Sequence, residues 1–216
     1  MSIKTKAIFI ATCLGMSQMS YAITPQQAAN KLEQFIGGFP DLGPGYAIVA
    51  VTKDKVLLNH VQGIRNSENK LPLTSDTPIY IASQTKAYMG LLAAKLDQQG
   101  ILSLDDTLAK HWPALQLPEG VDPKKWTLRD LLTHQLPLDA DRIVTLEAYV
   151  TEVDYQDYPE LLAKHGSKRD EGYEYTNLGY NIYGAILHKE TGKSWQDWLQ
   201  DEIFTPMAMT NSSART

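Results

Sequence analysis

A serine and a lysine three residues apart, Ser83 and Lys86, stand where a helix begins. They lie in Ile81-Ala82-Ser83-Gln84-Thr85-Lys86, ahead of an apolar run from Ala87 to Leu96. Residues three apart on a helix share a face, so hydroxyl and amine can meet. A serine hydroxyl is a poor nucleophile at neutral pH and needs a base within hydrogen-bond reach. A lysine can be that base where burial disfavours its charged form. The chemistry would be acyl transfer. The bland alternative is a serine N-cap with Lys86 directed to solvent. The same spacing recurs as Ser67-Glu68-Asn69-Lys70, between Gly63 and Pro72 with no helical run after it. That copy reads as a loop.

A second group lies far along the chain. Glu174-Tyr175-Thr176-Asn177 sits just before a helix that starts at Leu178. Tyr175 and Asn177, two apart in an extended turn, point the same way. Tyr175 could share a proton with Lys86 or Ser83, and Asn177 could hydrogen-bond a substrate amide. Taken alone they also fit a core tyrosine and a turn asparagine.

The elements that must position these residues are mostly helical. Thr24-Pro25 opens a helix ended by Gly37-Gly38. Tyr46–Val51 and Val56–Val61 flank a polar turn as a β-hairpin. Residues 63 to 78 read as loop. The Ser83 helix runs to Gln99, with Gly100 closing it. Thr127 and Asp130 form a capping-box variant ahead of Leu131-Leu132. Residues 138 to 170 fit helix or strand about equally. Leu178 to Glu190 is a helix ended by Gly192, and Ser194 caps the next, whose Trp195, Trp198, Leu199 and Ile203 form a core face. Two strands alone make a marginal hairpin, so a helix must cover it or further strands must exist.

With 216 residues, 43% of them apolar, the chain is long enough for one real core. A net charge of −5 without a basic run argues against a nucleic-acid partner. Residues 1 to 22 have the layout of a secretory signal: Lys4 and Lys6, an apolar run from Ala7 to Met16, then Ser20-Tyr21-Ala22. The run is too short to span a bilayer, so no stable membrane anchor is expected. Cleavage after Ala22 would remove Cys13, the single cysteine, and with it any disulfide or thiol chemistry. His60, His111, His165 and His188 show no metal-ligand spacing, and His134 reads as structural. Glycine-rich phosphate loops and a G-x-S-x-G elbow are absent. No cofactor or metal is expected.

Together these stretches resemble the serine β-lactamase and penicillin-binding-protein-like family, in the class C β-lactamase, D-alanyl-D-alanine carboxypeptidase and esterase branch. The resemblance rests on Ile81–Lys86, Gly100–Asp106, Thr127–His134, Tyr175–Tyr180, Thr191–Ser194 and Ile203–Thr210 in that order, and runs from about residue 25 onward. It implies an α+β fold, an antiparallel sheet flanked by helices plus a helical subdomain at about residues 81–175, within a domain spanning residues 23–216. It implies Ser83 as the acylated nucleophile, Lys86 taking or steering its proton, Tyr175 completing the relay and Asn177 holding substrate. The Ser83 N–H would be one oxyanion donor, at a helix start that favours negative charge.

Three departures accompany it. The family's third motif, Lys/His-Thr/Ser-Gly on a later strand, is not found, and Lys189-Glu-Thr-Gly192 has a residue too many. The resemblance therefore implies a C-terminally truncated domain without its last strands and second oxyanion donor, a loss worth about a hundredfold in rate. His134-Gln-Leu-Pro replaces the family's His-Thr-Ser-Gly, and Glu171-Gly172 replaces Pro-Gly. The expectation is an exported, periplasmic or secreted serine hydrolase acting on β-lactams, D-alanyl peptides of peptidoglycan or small esters. The alternative is an inactive remnant or a penicillin- or peptidoglycan-binding protein.

Overall fold

A computed structural model describes residues 23–38 and 43–215. The expected export signal and Cys13 lie outside the described residues. The chain divides into two compact units, Met1–Thr77 and Pro78–Thr216.

In the first unit, helix α1 (Pro25–Gly37) starts at Thr24, whose side chain accepts the Gln27 N–H while the Gln27 side chain accepts the Thr24 N–H. This closes a capping box. Strands β1 (Gly45–Val51) and β2 (Val56–Asn66) pair antiparallel, Tyr46 opposite Gln62 and Ile48 opposite His60. Alternation along β1 leaves Tyr46, Ile48 and Ala50 half-buried and Ala47, Val49 and Val51 exposed. The half-buried set packs with Leu57 around Ala29, Ile36 and Leu58, so α1 covers one face of the hairpin. A third strand, β3 (Leu71–Pro72), pairs with β2. Residues 63 to 78 are thus not all loop: Ser67–Lys70 is the turn joining β2 to β3. The missing sequence signal has a simple cause, since β3 is two residues long and ends on a proline.

The second unit is helical. Helix α2 (Thr85–Gln98) buries Met89, Leu92, Ala93 and Leu96. Gly100, with φ +70, lets the chain turn after it. The short α3 (Leu108–His111) and α4 (Leu128–Leu132) are tied at their starts by an antiparallel bridge between Thr107 and Thr127. The Thr127–Asp130 capping box forms as the sequence indicates, with Thr127 Oγ1 donating to Asp130 Oδ2 at 2.6 Å.

The ambiguous stretch resolves into strand β4 (Leu138–Asp139), helices α5 (Asp141–Tyr149) and α6 (Tyr158–His165), and strand β5 (Ser167–Lys168) paired with β4. Helix α7 (Leu178–Thr191) buries Leu178, Ile182, Tyr183, Ile186 and Leu187 completely or nearly so. A helix apolar on most sides belongs at the centre of a core, and each full aliphatic burial contributes about 1.5–3 kcal/mol. Helix α8 (Trp195–Leu199) starts at its Ser194 cap and runs into a π-helical turn, Gln200–Phe204. Among the described residues the architecture is α+β, a three-stranded and a two-stranded antiparallel sheet with eight α-helices, as the resemblance implies.

Candidate active site

The first turn of the second unit sets the Ser83 side chain. Ala82 adopts a left-handed conformation, φ +47, at a cost to a non-glycine residue of roughly 1–2 kcal/mol. It begins a 3-10 turn, Ala82–Gln84, closed by Gln84 N–H donating to the Ile81 carbonyl at 3.1 Å. Ser83 therefore sits in this turn rather than capping α2, and its hydroxyl is exposed. Among the described residues its N–H has no backbone acceptor, which leaves a donor open at the head of a helix.

Lys86 lies one turn on, half-buried. Its Nζ donates to Ser83 Oγ at 3.1 Å and to Asn177 Oδ1 at 2.5 Å. The amine also lies 4.9 Å from the centre of the Tyr175 ring and 5.5 Å from that of Tyr180. Aromatic faces at these distances attract a cation. Lys86 is thus held on several sides rather than extended into water.

Tyr175 and Asn177 arrive from the far end of the sequence through α4 and α7. Gly179 permits the approach: a Cβ there would stand 2.3 Å from the Leu131 carbonyl oxygen. Tyr180 Oη donates to the Leu132 carbonyl at 3.1 Å and pins α7 one residue further. Asn177, the residue before α7, is thereby delivered to Lys86. Tyr175 is 53% exposed. Its nearness to the Lys86 amine first, and to the Ser83 hydroxyl second, pulls its phenol below the usual 10. The amine's short hydrogen bonds run to Ser83 and Asn177, so the Tyr175 hydroxyl stands one step outside the closed contacts.

The geometry thus gathers all four residues singled out in the sequence, Ser83, Lys86, Tyr175 and Asn177, into one cluster. It adds a fifth, which sequence reasoning treated as structural. His134 follows α4 with a left-handed φ of +61 and is only 8% exposed. Its ring packs 4.7 Å from Tyr175, and its Nδ1 accepts the Thr176 N–H at 3.3 Å. The clues were a histidine at a helix end where glycine or asparagine would be usual, and its place as the last residue of the matched stretch Thr127–His134. Such a set can activate a hydroxyl, stabilise an oxyanion and grip an amide. Among the described residues no group of three or more His, Cys, Asp or Glu side chains is placed to hold a metal ion.

A family model described as Beta-lactamase matches residues 32–216. The chain belongs to the Beta-lactamase family. Protein flp of Staphylococcus aureus (strain COL) is 30% identical over 174 residues, covering 79% of this chain and 34% of that protein. The D-amino acid amidase of Ochrobactrum anthropi SV3, solved with L-phenylalanine, is 25% identical with a TM-score of 0.65 over 83% of this chain and 48% of its own. The octameric penicillin-binding protein homologue of Pyrococcus abyssi is 28% identical with a TM-score of 0.65, over 83% of this chain and 43% of its own. This Beta-lactamase-family chain spans about a third of the curated relative and about half of each solved one. Its solved relatives include hydrolases of this fold, the amidase among them.

Proposed function

We propose that Ser83 is the nucleophile of a serine hydrolase, acylated by β-lactams, D-alanyl peptides or small esters and then released by water. The observation that carries this reading is the Lys86 amine bonded at once to Ser83 Oγ and to Asn177 Oδ1. In the first step Ser83 Oγ bonds to the substrate carbonyl carbon and gives its proton to the Lys86–Tyr175 pair. The carbonyl oxygen takes the negative charge, and the open Ser83 N–H is placed to donate to it. Collapse expels the amine or alcohol, which receives the proton, and leaves an ester on Ser83. Water then adds to that ester, losing its proton to the same pair, and Ser83 regains a hydrogen as the acid departs.

Lys86 steers this sequence by its charge as much as by any transfer. An ammonium within hydrogen-bond distance of Ser83 Oγ favours the alkoxide character that develops during attack. With Lys86 as the ammonium, Tyr175 takes the Ser83 proton as its phenolate, a form that its lowered pKa makes more populated near the operating pH. Asn177 spends its oxygen on Lys86, which leaves its side-chain N–H groups for a substrate acyl carbonyl. The amidase relative supports an amide or peptide as substrate. The layout of residues 1–22 supports export to the periplasm or exterior, where a peptidoglycan peptide or a penicillin would be met. No helix among the described residues is long and apolar enough to cross a membrane.

The test is the intact mass of the chain after incubation with a penicillin and, separately, with a D-alanyl peptide thioester. One acyl group per chain, absent in Ser83→Ala, supports the hydrolase. A folded chain that gains no mass from either supports a binding protein or inactive remnant instead.

A further inference from the structure

We propose that His134 is a positioning residue for this site: as a neutral imidazole it holds the Tyr175–Asn177 segment in place, and its protonation releases that segment. The inference rests on the serine-hydrolase reading given above. His134 touches every residue from Tyr173 to Thr176. Its ring lies 5.7 Å from Tyr173 and 4.7 Å from Tyr175, its carbonyl accepts the Glu174 N–H at 3.1 Å, and its Nδ1 accepts the Thr176 N–H at 3.3 Å. Tyr180, on α7, stands 5.5 Å from the same ring. Thr176 in turn passes the restraint on, since its Oγ1 accepts the Leu178 N–H at the start of α7. A single side chain thus fixes the tyrosine of the relay and the entry to Asn177.

The backbone at this position is also unusual. A left-handed φ of +61 is uncommon for any residue but glycine, and histidine is among the side-chain types found there most often. Glycine there would remove the strain but also the ring and the acceptor. Strain of this kind persists where the surroundings over-determine it, often at functional sites.

Only a neutral ring can accept the Thr176 N–H, because the bond uses the Nδ1 lone pair. The groups facing His134 favour that form. Burial lowers its pKa below 6.5, the Lys86 charge adds to this, and Arg169 adds again. Backbone hydrogen bonding to Thr176 counts in the opposite direction, yet the contact itself is an N–H aimed at a ring nitrogen and so favours the neutral imidazole. Arg169 also donates to the His134 carbonyl at 3.3 Å and lies 3.5 Å from Glu174, whose carboxylate shields part of that charge. The remaining titratable neighbours, Tyr173, Tyr175 and Tyr180, are aromatic faces on the same ring. Protonation turns Nδ1 into a donor facing another donor. The bond to Thr176 is lost, and a second cation appears beside Lys86.

The sign follows. A base whose folded pKa is depressed stabilises the fold fully above its unfolded value, and that contribution is lost as pH falls through the folded value. The segment should therefore loosen on the acid side of 6.5.

The experiment compares His134→Asn and His134→Phe with the parent chain. Asparagine tolerates a left-handed backbone and offers Oδ1 where Nδ1 stood, but it does not titrate. The Thr176 amide resonance should shift with an apparent pKa below 6.5 in the parent and stay flat in His134→Asn. Acylation of Ser83 by an activated ester should fall along the same acid curve in the parent and lose that curve in His134→Asn. At neutral pH His134→Phe should acylate on the order of tenfold more slowly, and His134→Asn should recover most of the loss. A Thr176 amide that ignores pH, or an acid limb unchanged in His134→Asn, overturns the proposal. A parent chain whose Ser83 takes no acyl group overturns the hydrolase reading instead, and the amide titration still decides whether His134 holds the segment.

Discussion

Replacing Gly179 by alanine should disable the site from a position that never meets substrate. The new Cβ would lie 2.3 Å from the Leu131 carbonyl oxygen and 2.9 Å from its carbon, where ordinary contact begins at 3.4 Å. Both are backbone atoms of a capped helix and cannot swing aside. Helix α7 must therefore retreat from α4 by about 1 Å, the kind of overpacking that costs about 1–3 kcal/mol. The same movement stretches the 3.1 Å bond from Tyr180 to Leu132 beyond reach, adding about 1 kcal/mol. Asn177 moves with the helix and slackens its hold on Lys86. A misplacement of about 1 Å at a reacting group can cost about a hundredfold in rate. The assay is urea unfolding followed by tryptophan fluorescence, together with the rate of Ser83 acylation. The chain's 4 tryptophans, at positions 112, 126, 195 and 198, all belong to the second unit, so the signal reports on the unit that holds the site. Gly90→Ala is the control: nothing lies within 4 Å of the added Cβ, and a helix interior gains about 0.4–1 kcal/mol from the exchange. A Gly179→Ala chain that unfolds and acylates like the parent would refute the claim that close contact between α4 and α7 places Asn177.

Other substitutions probe separate parts of the cluster. Ala82→Val should lower stability by about 1–2 kcal/mol in the same urea assay, because a β-branched residue resists a left-handed backbone, whereas Ala82→Gly should not destabilise. Ultraviolet titration should find a phenol ionising below 10 that Tyr175→Phe removes and Lys86→Met moves back up. It should stand clear of Tyr158, Tyr180 and Tyr183, which burial pushes up. For that phenol the folded pKa is depressed, so its stabilising contribution is present above the unfolded value and is lost as pH falls through the folded one. Leu131→Ala should destabilise the second unit by about 2–5 kcal/mol, since the side chain is fully buried under α7.

The elements that carry strong local signals were readable from the sequence. Thr24, Thr127 and Ser194 each open a helix through a side-chain oxygen, and the polar turn after Val51 closes a hairpin. Ser83 and Lys86 were legible because a one-turn spacing survives even though Ser83 lies in a 3-10 turn. Their lookalike, Ser67 and Lys70, was separable because no apolar helical run follows it. What was hidden depends on contacts far apart in sequence. Helices α5 and α6 are short, and Ile143 and Val144 are β-branched, so periodicity could not decide between helix and strand. Strand β3 exists only through its pairing with β2. The left-handed turn at Ala82 leaves no mark in residue type, and His134 acquires its role from residues about forty positions away.

The most direct test uses the chain's own internal control. Ser67 and Ser83 share the same spacing to a lysine, but only Ser83 has that amine tied to Asn177 and set against Tyr175. The folded chain would be treated with an activated acyl ester at neutral pH, digested and mapped by peptide mass. The account predicts acyl label on Ser83, none on Ser67, and loss of the label in Lys86→Met. Equal labelling of the two serines, or Ser83 labelling that survives Lys86→Met, would contradict it.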